Sequence, residues 1–535
     1  MHAFQEFRTW ATSTSVAERA TTTVAGLVVA GLLVWLLVPS PQGTTNAASV
    51  STAATDGGGR SSANPGASAL ASAPASGGVP SSPGATGGAS GATSLVGVQA
   101  GPGGSGGAPA VAPSTGQAAA AGVRAGGGTG CVSPPGSARG VSASEIKLAV
   151  AVVDVAGPAA NGLFGLPSAD EQISAYQAVI DDTNKAGGIA CRKVVADYYR
   201  VNPADQSSMH QQCLDIAQSG VYAVLDAGSY ASVTTEPLTC FAQHKVTYFG
   251  AYLTPAWQAQ QLYPYIFSFG TFENVYRDTA FALRDLGFFE PARGFKKLGY
   301  LYHSCDPRKI GVYTTSLHRA GVTDAQIVPY DLGCPAAFAS PADLAQAVLK
   351  FKQSGVTHVT EAGALGDIAN YTKISEQQGF RPKYGLPDEA LVQISYGAQR
   401  ADPNNIAGAI AITDSRNGEN TTPGLPLAPG TVRCNAIYAA RRLRSTYQEP
   451  AGAGNSCSLM WMFRAALEHA PAMDPTTIGL GLQRARSVEF SFPQGPNDFT
   501  AARATSGGQF WRALMYRSDC QCWQVTNPSF RPSFR

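Results

Sequence analysis

The sequence predicts an α/β protein of two lobes, each built on a doubly wound, mostly parallel sheet, behind a long N-terminal stretch with no core of its own. Three observations lead there. Short β-branched apolar runs alternate with segments whose apolar residues recur at helical spacing, the pattern of strand–helix–strand units. The alternation runs through two successive series, from about 145 to 252 and from about 297 to 391. Before residue 131 the chain carries only Arg8, Arg19, Arg60 and Arg124 against Glu6, Glu18 and Asp56, so the globular part begins near residue 131.

In the first series EIKLAVAVV (145–153) is apolar without alternation, as a strand covered on both faces must be. Ile173, Tyr176, Val179 and Ile180 then share a helix face, which Gly187-Gly188 ends. Strand KVVADYY (193–199) comes next, and Asn202-Pro203 is expected to cap a helix burying Met209, Cys213, Ile216 and Ala217. VYAVLDA (221–227) and VTYFGAY (246–252) give two more strands around a helix at 232–244. Four parallel strands with crossover helices make an open sheet.

The second series repeats this with KLGYLYH (297–303), QIVPYDL (326–332) and VTHVTEAG (356–363), with helices at 307–320, 341–353 and 366–378. After YGLPDEAL (384–391), the strand AGAIAIT (407–413) and helices near 432–446 and 456–470 lack a sheet large enough of their own, and are expected to return to the first lobe. The domain plan is therefore lobe one at 131–270, lobe two at 271–383, a lobe-one return at 384–485 and a C-terminal crossover segment at 486–535.

Ahead of it, ATTTVAGLVVAGLLVWLLV (20–38) is 19 residues without charge. A helix of that length spans about 28 Å, enough to cross a bilayer. We read it as an uncleaved transmembrane signal anchor with 1–19 cytoplasmic and the large domain extracytoplasmic. Cleavage near Asn46-Ala47-Ala48 is the competing reading, and the absence of cysteine before Cys131 excludes a lipoprotein. Residues 39–130, rich in Gly, Ala, Ser and Pro, have almost nothing to bury and read as a disordered linker. Its mean reach is on the order of 50 Å.

Composition excludes several function classes. Charged residues are 14% and the formal net charge is +2, without the clustered basic footprint of a nucleic-acid binder. All ten cysteines lie at or beyond Cys131, an even count that fits an oxidising compartment. There is no HExxH, no P-loop and no strand-linked G-x-S-x-G, so no enzyme chemistry and no cofactor is implied. Cys520-x-Cys522 lacks the histidine or second cysteine pair that a metal site needs.

GVSASEIKLAVAVV, AYQAVIDDTNKAGGIACRKV, LDIAQSG with VYAVLDAGSY, and VTYFGAY occur in this order over roughly 140–525. The order resembles the type I periplasmic-binding-protein fold, especially solute-binding proteins of ABC importers similar to the leucine/isoleucine/valine-binding family. The resemblance implies a cleft between the lobes that holds a small solute. Carried onto this sequence, it places Phe164, Ser229, Tyr230, Ser232, Ala251 and Tyr252 on lobe-one loops and Tyr302 and Glu361 in lobe two as ligand-binding residues. Independently, ligands of open parallel sheets bind beyond the carboxyl ends of the strands, and a helix start near Ser232 would favour a carboxylate. Where the family often has a Tyr-Gly pair after the first lobe-two strand, this chain has HSCDPRKIG, and the acid facing a ligand ammonium falls to Glu361 or Asp306. Read plainly, Glu361 is a solvated loop carboxylate and His303 a satisfied interface group. Similar proteins often carry a disulfide where Cys213 and Cys240 fall. Cys305 with Cys334 and Cys434 with Cys457 are expected pairs by their placement, and Cys131, Cys191, Cys520 and Cys522 allow three pairings.

The leading expectation is a membrane-tethered solute-binding protein that captures an amino acid or related metabolite by hinge closure, with ABC-importer membrane subunits as partners. A ligand-sensing surface receptor and a structural or adhesive surface protein with a degenerate cleft are the alternatives.

Overall fold

The computed structural model describes residues 133–163, 166–203, 205–228, 236–251, 253–305, 307–334, 338–363, 366–388, 395–443 and 455–535. The apolar segment 20–38 and the linker 39–130 lie outside them. Among the described residues no helix is long and apolar enough to cross a membrane.

The first sheet has five parallel strands in the order β2-β1-β3-β4-β5, with β1 Glu145–Val153, β2 Lys193–Val201, β3 Ala223–Asp226, β4 Thr247–Gly250 and β5 Ile266–Ser268. β1 is central, so both its faces are covered. Leu148, Val150 and Val152 pack towards one layer of helices and Ala149 and Ala151 towards the other. Helix Ala169–Lys185 starts in a capping box between Ser168 and Glu171. It ends where Gly188 takes φ +82°, at a spot where a Cβ would lie 1.9 Å from the Arg192 carbonyl oxygen. Helix Gln206–Gln218 is capped by Asp205, whose side chain accepts from the Ser208 amide at 3.1 Å, and not by Asn202. β2 runs on to Val201, so Asn202 and Pro203 are spent in the connection.

The second sheet has the order β12-β11-β10-β9-β8-β6-β7, with β13 beside β11. β6 Leu298–Tyr302, β7 Ile327–Asp331, β8 His358–Ala362, β9 Lys383–Pro387 and β10 Ile410–Thr413 are parallel. β11 Phe510–Arg517, β12 Cys522–Val525 and β13 Arg531–Pro532 add antiparallel strands. Two expectations are corrected here. AGAIAIT does not return to the first lobe: β10 pairs with β9 on one side and β11 on the other, which buries Ala411 and Ile412 on opposite faces. The boundary set at 384 is therefore too early. The 486–535 segment likewise is more than a crossover, because it supplies the hairpin that extends the second sheet. Helices Pro429–Ala440 and Asn455–Glu468 do pack on the first lobe, where Cys434, Met460 and Phe463 join the core around Val150 and Tyr176.

The chain thus passes between the lobes three times, after β5, after β10 and before β11. These crossings lie side by side. Ser268 donates its amide to the Thr505 carbonyl at 2.9 Å, Gly508 to that of Phe269 at 2.8 Å, and Arg416 to that of Pro493 at 2.7 Å. A Cβ on Gly270 would stand 2.7 Å from Asp414 Oδ2, and one on Gly495 1.9 Å from the Asp414 carbonyl oxygen.

Disulfides join Cys213 to Cys240, Cys305 to Cys334, Cys434 to Cys457 and Cys520 to Cys522. Cys191 is also disulfide-bonded, and Cys131 lies outside the described residues.

Candidate functional site

β5 ends at Ser268 and β10 at Thr413, immediately before two of the crossings. Since each of these sheets runs its strands parallel up to that point, the carboxyl ends of β1, β3 and β4 and those of β6, β7 and β8 lie on the side of their sheets from which the chain crosses to the other lobe.

On the lobe-one side two fully buried amides fix the loop after β1. Gln172 Oε1 accepts from the Val153 amide at 3.0 Å, while its Nε2 donates to the carbonyls of Val153 and Pro167. Asn161 Nδ2 donates to the same two carbonyls, each at 2.9 Å, and its Oδ1 accepts from the Val155 amide. This satisfies backbone that burial would otherwise leave unpaired. At the end of β3, Asp226 is buried and accepts from the Tyr248 hydroxyl at 2.5 Å. After β4, Ala251 is buried and donates its amide to the Asp226 carbonyl at 2.9 Å, and Thr254 meets Ser268 hydroxyl to hydroxyl at 2.6 Å.

On the lobe-two side Tyr302 ends β6, half-buried against Tyr300, with its hydroxyl pKa pushed up by burial and by Asp331. His303 is buried and pairs through Nε2 with Asp367 at 2.8 Å, and Asp367 also accepts from the Ala339 amide. His303 is thus a satisfied group. Glu361 stands beside Leu301 in the ladder, one residue before the end of β8. It is 1% exposed, and among the described residues neither carboxylate oxygen has a hydrogen-bond partner. Desolvation, reinforced by Asp367, raises its pKa well above the carboxylate range, so the neutral acid is favoured. The solvated-loop reading of Glu361 does not hold.

At the rim, helix Ala256–Gln261 of lobe one meets lobe two. Glu273 accepts from the Ala256 amide at 2.8 Å, and the Arg308 guanidinium lies 4.0 Å over the Trp257 ring. A groove of about 580 Å³ opens there, lined by Trp257, Glu273, Arg277, Arg308, Thr315 and Arg319 among others. Among the described residues no group of three or more His, Cys, Asp or Glu side chains is placed to hold a metal.

No family model matches the sequence, and no curated protein matches it. Solved structures do match in fold. An ABC-transporter solute-binding protein from R. palustris in complex with 4-hydroxybenzoate aligns over 73% of this chain and 98% of its own, with a TM-score of 0.53 and 12% identity. The branched-chain amino acid transporter substrate-binding protein from Streptococcus pneumoniae, in complex with isoleucine, aligns over 72% and 99%, with a TM-score of 0.52 and 15% identity. A possible leucine/isoleucine/valine-binding protein from Rhodopirellula baltica aligns over 72% and 97%, with a TM-score of 0.51 and 12% identity. This chain has the type I periplasmic-binding-protein fold.

Within that fold, Ala251, Tyr302 and Glu361 sit at or next to the carboxyl ends of β4, β6 and β8. Phe164, Ser229, Tyr230, Ser232, Tyr252 and Asp306 lie outside the described residues. Sequence reading missed Asn161, Gln172, Asp226 and Asp367. Gln172 carried a visible signal, since it is a polar residue next to Ile173 on a helix face that otherwise packs on the sheet. Asp226 and Asp367 gave none, because their partners are 22 and 64 residues away.

Proposed function

We propose that this chain is an extracytoplasmic solute-binding protein, held to a membrane by residues 20–38 through the linker 39–130, that captures a small solute between its lobes by hinge closure and passes it to an ABC importer. The observation that carries the reading is the seam between the lobes: the carboxyl ends of both sheets lie on the side from which the chain crosses, and three adjacent backbone crossings join the lobes there. Such a joint favours closure around a ligand. Phe164, Ser229, Tyr230, Ser232, Ala251 and Tyr252 would contact the solute from lobe one, and Tyr302 from lobe two.

Glu361, which the sequence offers as counter-charge for a ligand ammonium, is 1% exposed and shares the helix-covered strand face of Val359. With that carboxyl out of a ligand's reach, a small carboxylic acid with an apolar body is favoured over an amino acid. Both isoleucine and 4-hydroxybenzoate occur in proteins of this fold, and only the second lacks an ammonium.

The test is the melting temperature and radius of gyration of the oxidised protein with each compound. At a hundred times its Kd a ligand stabilises the folded state by about 2.7 kcal/mol. We expect 4-hydroxybenzoate or a related acid to raise the transition and shrink the radius, with isoleucine weaker. A protein that neither compound, nor a wider panel of small acids and amides, stabilises or compacts would refute capture by closure.

A further inference from the structure

Among the four disulfides with both cysteines described, Cys305–Cys334 spans 29 positions with both cysteines exposed, and the other three fall into two kinds. Cys213–Cys240 and Cys434–Cys457 link residues 27 and 23 positions apart, and all four cysteines are buried. Links of that span remove much freedom from the unfolded chain. Cys520–Cys522 links residues 2 positions apart. So short a closure constrains the unfolded chain little. The hairpin around it is already fixed by the pairing of Tyr516 with Trp523 and Leu514 with Val525, and the Tyr516 and Trp523 rings meet with centroids 5.5 Å apart. Stabilising the fold is therefore a poor account of this bond.

Its surroundings suit exchange instead. Residues 517–521 are exposed and Cys522 is half-buried, so the bond lies within reach of a partner at the hairpin tip. Gln521, between the two cysteines, has φ +48°. That left-handed conformation is uncommon for a residue with a Cβ and belongs to the tight turn that brings the two cysteines together. Gln524 Nε2 stands 3.9 Å from Cys520 Sγ. An amide donor there stabilises the charge that Cys520 would carry as a leaving thiolate. Because the strand ladder holds both ends of the turn, the opened thiols stay adjacent and can close again.

We propose that Cys520–Cys522 is a thiol–disulfide exchange site whose co-reactant is a dithiol or a pair of thiols. The incoming thiolate forms a bond to Cys522 Sγ as the Cys520–Cys522 bond breaks, and Cys520 leaves as a thiolate beside Gln524. A second thiolate of the co-reactant then attacks the co-reactant's own sulfur in the mixed disulfide and releases Cys522. The co-reactant is oxidised to a disulfide, and Cys520 and Cys522 take up its two electrons and two protons.

The oxidised full chain, treated with graded dithiothreitol, quenched with iodoacetamide and read by peptide mass spectrometry, tests this. Cys520 and Cys522 are expected to be alkylated at least tenfold faster than the buried Cys213, Cys240, Cys434 and Cys457. Gln524→Ala should slow that reduction several-fold at unchanged Tm. The double variant Cys520→Ser/Cys522→Ser should melt within about 1 °C of the parent, a small shift for a domain of this size. Reduction together with or after the buried disulfides Cys213–Cys240 and Cys434–Cys457, or a double variant that loses its fold or melts well below the parent, overturns the proposal.

Discussion

The two lobes share one strand–helix scheme and are held together by different forces. Lobe one is a uniform parallel sheet whose interior is apolar, and its buried polar side chains Asn161, Gln172 and Asp226 are hydrogen-bonded to backbone or a neighbouring hydroxyl. Among its buried groups, Tyr176, Tyr222 and Tyr438 have hydroxyls pushed up by burial, far from neutrality. Lobe two changes strand direction at β11 and buries charge. Arg512 and Glu419 pair at 3.0 Å with their side chains 1% and 4% exposed. Glu361 is buried without a hydrogen-bond partner among the described residues, Asp414 is pushed up by burial and by Asp388, and Asp278 is pushed up to about 6 by burial. The lesson is that the shifted carboxyls lie in lobe two, so its stability is expected to depend on pH near neutrality more than that of lobe one.

The largest expected effect lies in lobe one. Phe463 is fully buried between Tyr222 and Phe249, and Phe463→Ala should cost about 4 kcal/mol in denaturant unfolding. That loss should be the same at pH 5 and pH 8; a loss that varies with pH would break the contrast between the lobes.

Next comes Arg512→Ala, expected to cost about 3 kcal/mol because it strips Glu419 of its most buried partner. Arg416, 3.0 Å from Glu419, limits the damage. The double variant Arg512→Met/Glu419→Leu should recover most of the loss, since the charge left behind is what destabilises. Recovery that fails in urea titration would mean that the ion pair contributes net stability.

The smallest effect, and the most diagnostic, is in the pH profile of Glu361→Gln. A carboxyl whose folded pKa is raised binds protons more tightly when folded, so its cost is absent below the unfolded pKa and grows as pH rises towards the folded value. The variant should match the parent near pH 4 and exceed it in Tm at pH 7 to 8. His358 works in the opposite sense. Burial, with Lys383, lowers its pKa to about 4 from 6.5, so its contribution is complete above pH 6.5 and is lost as pH falls towards 4. If Glu361→Gln shifts the whole profile equally at every pH, its carboxyl is not the group that titrates.

Much of this architecture could be read from the sequence, and the failures share a physical cause. Strands such as Glu145–Val153 announce themselves because burial on both faces demands a near-continuous apolar run. The three-residue strand Ile266–Ser268 is too short for any periodicity to show. β10 was legible as a strand and misassigned to the wrong sheet, since strand order is decided by partners more than 20 residues away. Glu361 illustrates the limit at the site. In HVTEA it falls on the face of Val359, and in a parallel sheet that face is covered by helices just as the other is. A carboxylate expected to be solvated or to greet a ligand is consequently buried. The hinge contacts of Gly270 and Gly495 with Asp414 join positions 144 and 81 apart (414 − 270 and 495 − 414), and no local pattern encodes them.

The place of β11 in the second sheet has a consequence for biogenesis. β10 has no neighbour on its outer flank until residues 510–517 have been synthesised, although the five parallel strands of that sheet are made by residue 413. A nascent chain therefore carries an open sheet edge through about a hundred further residues of translation, the kind of surface that invites wrong pairing and chaperone attention.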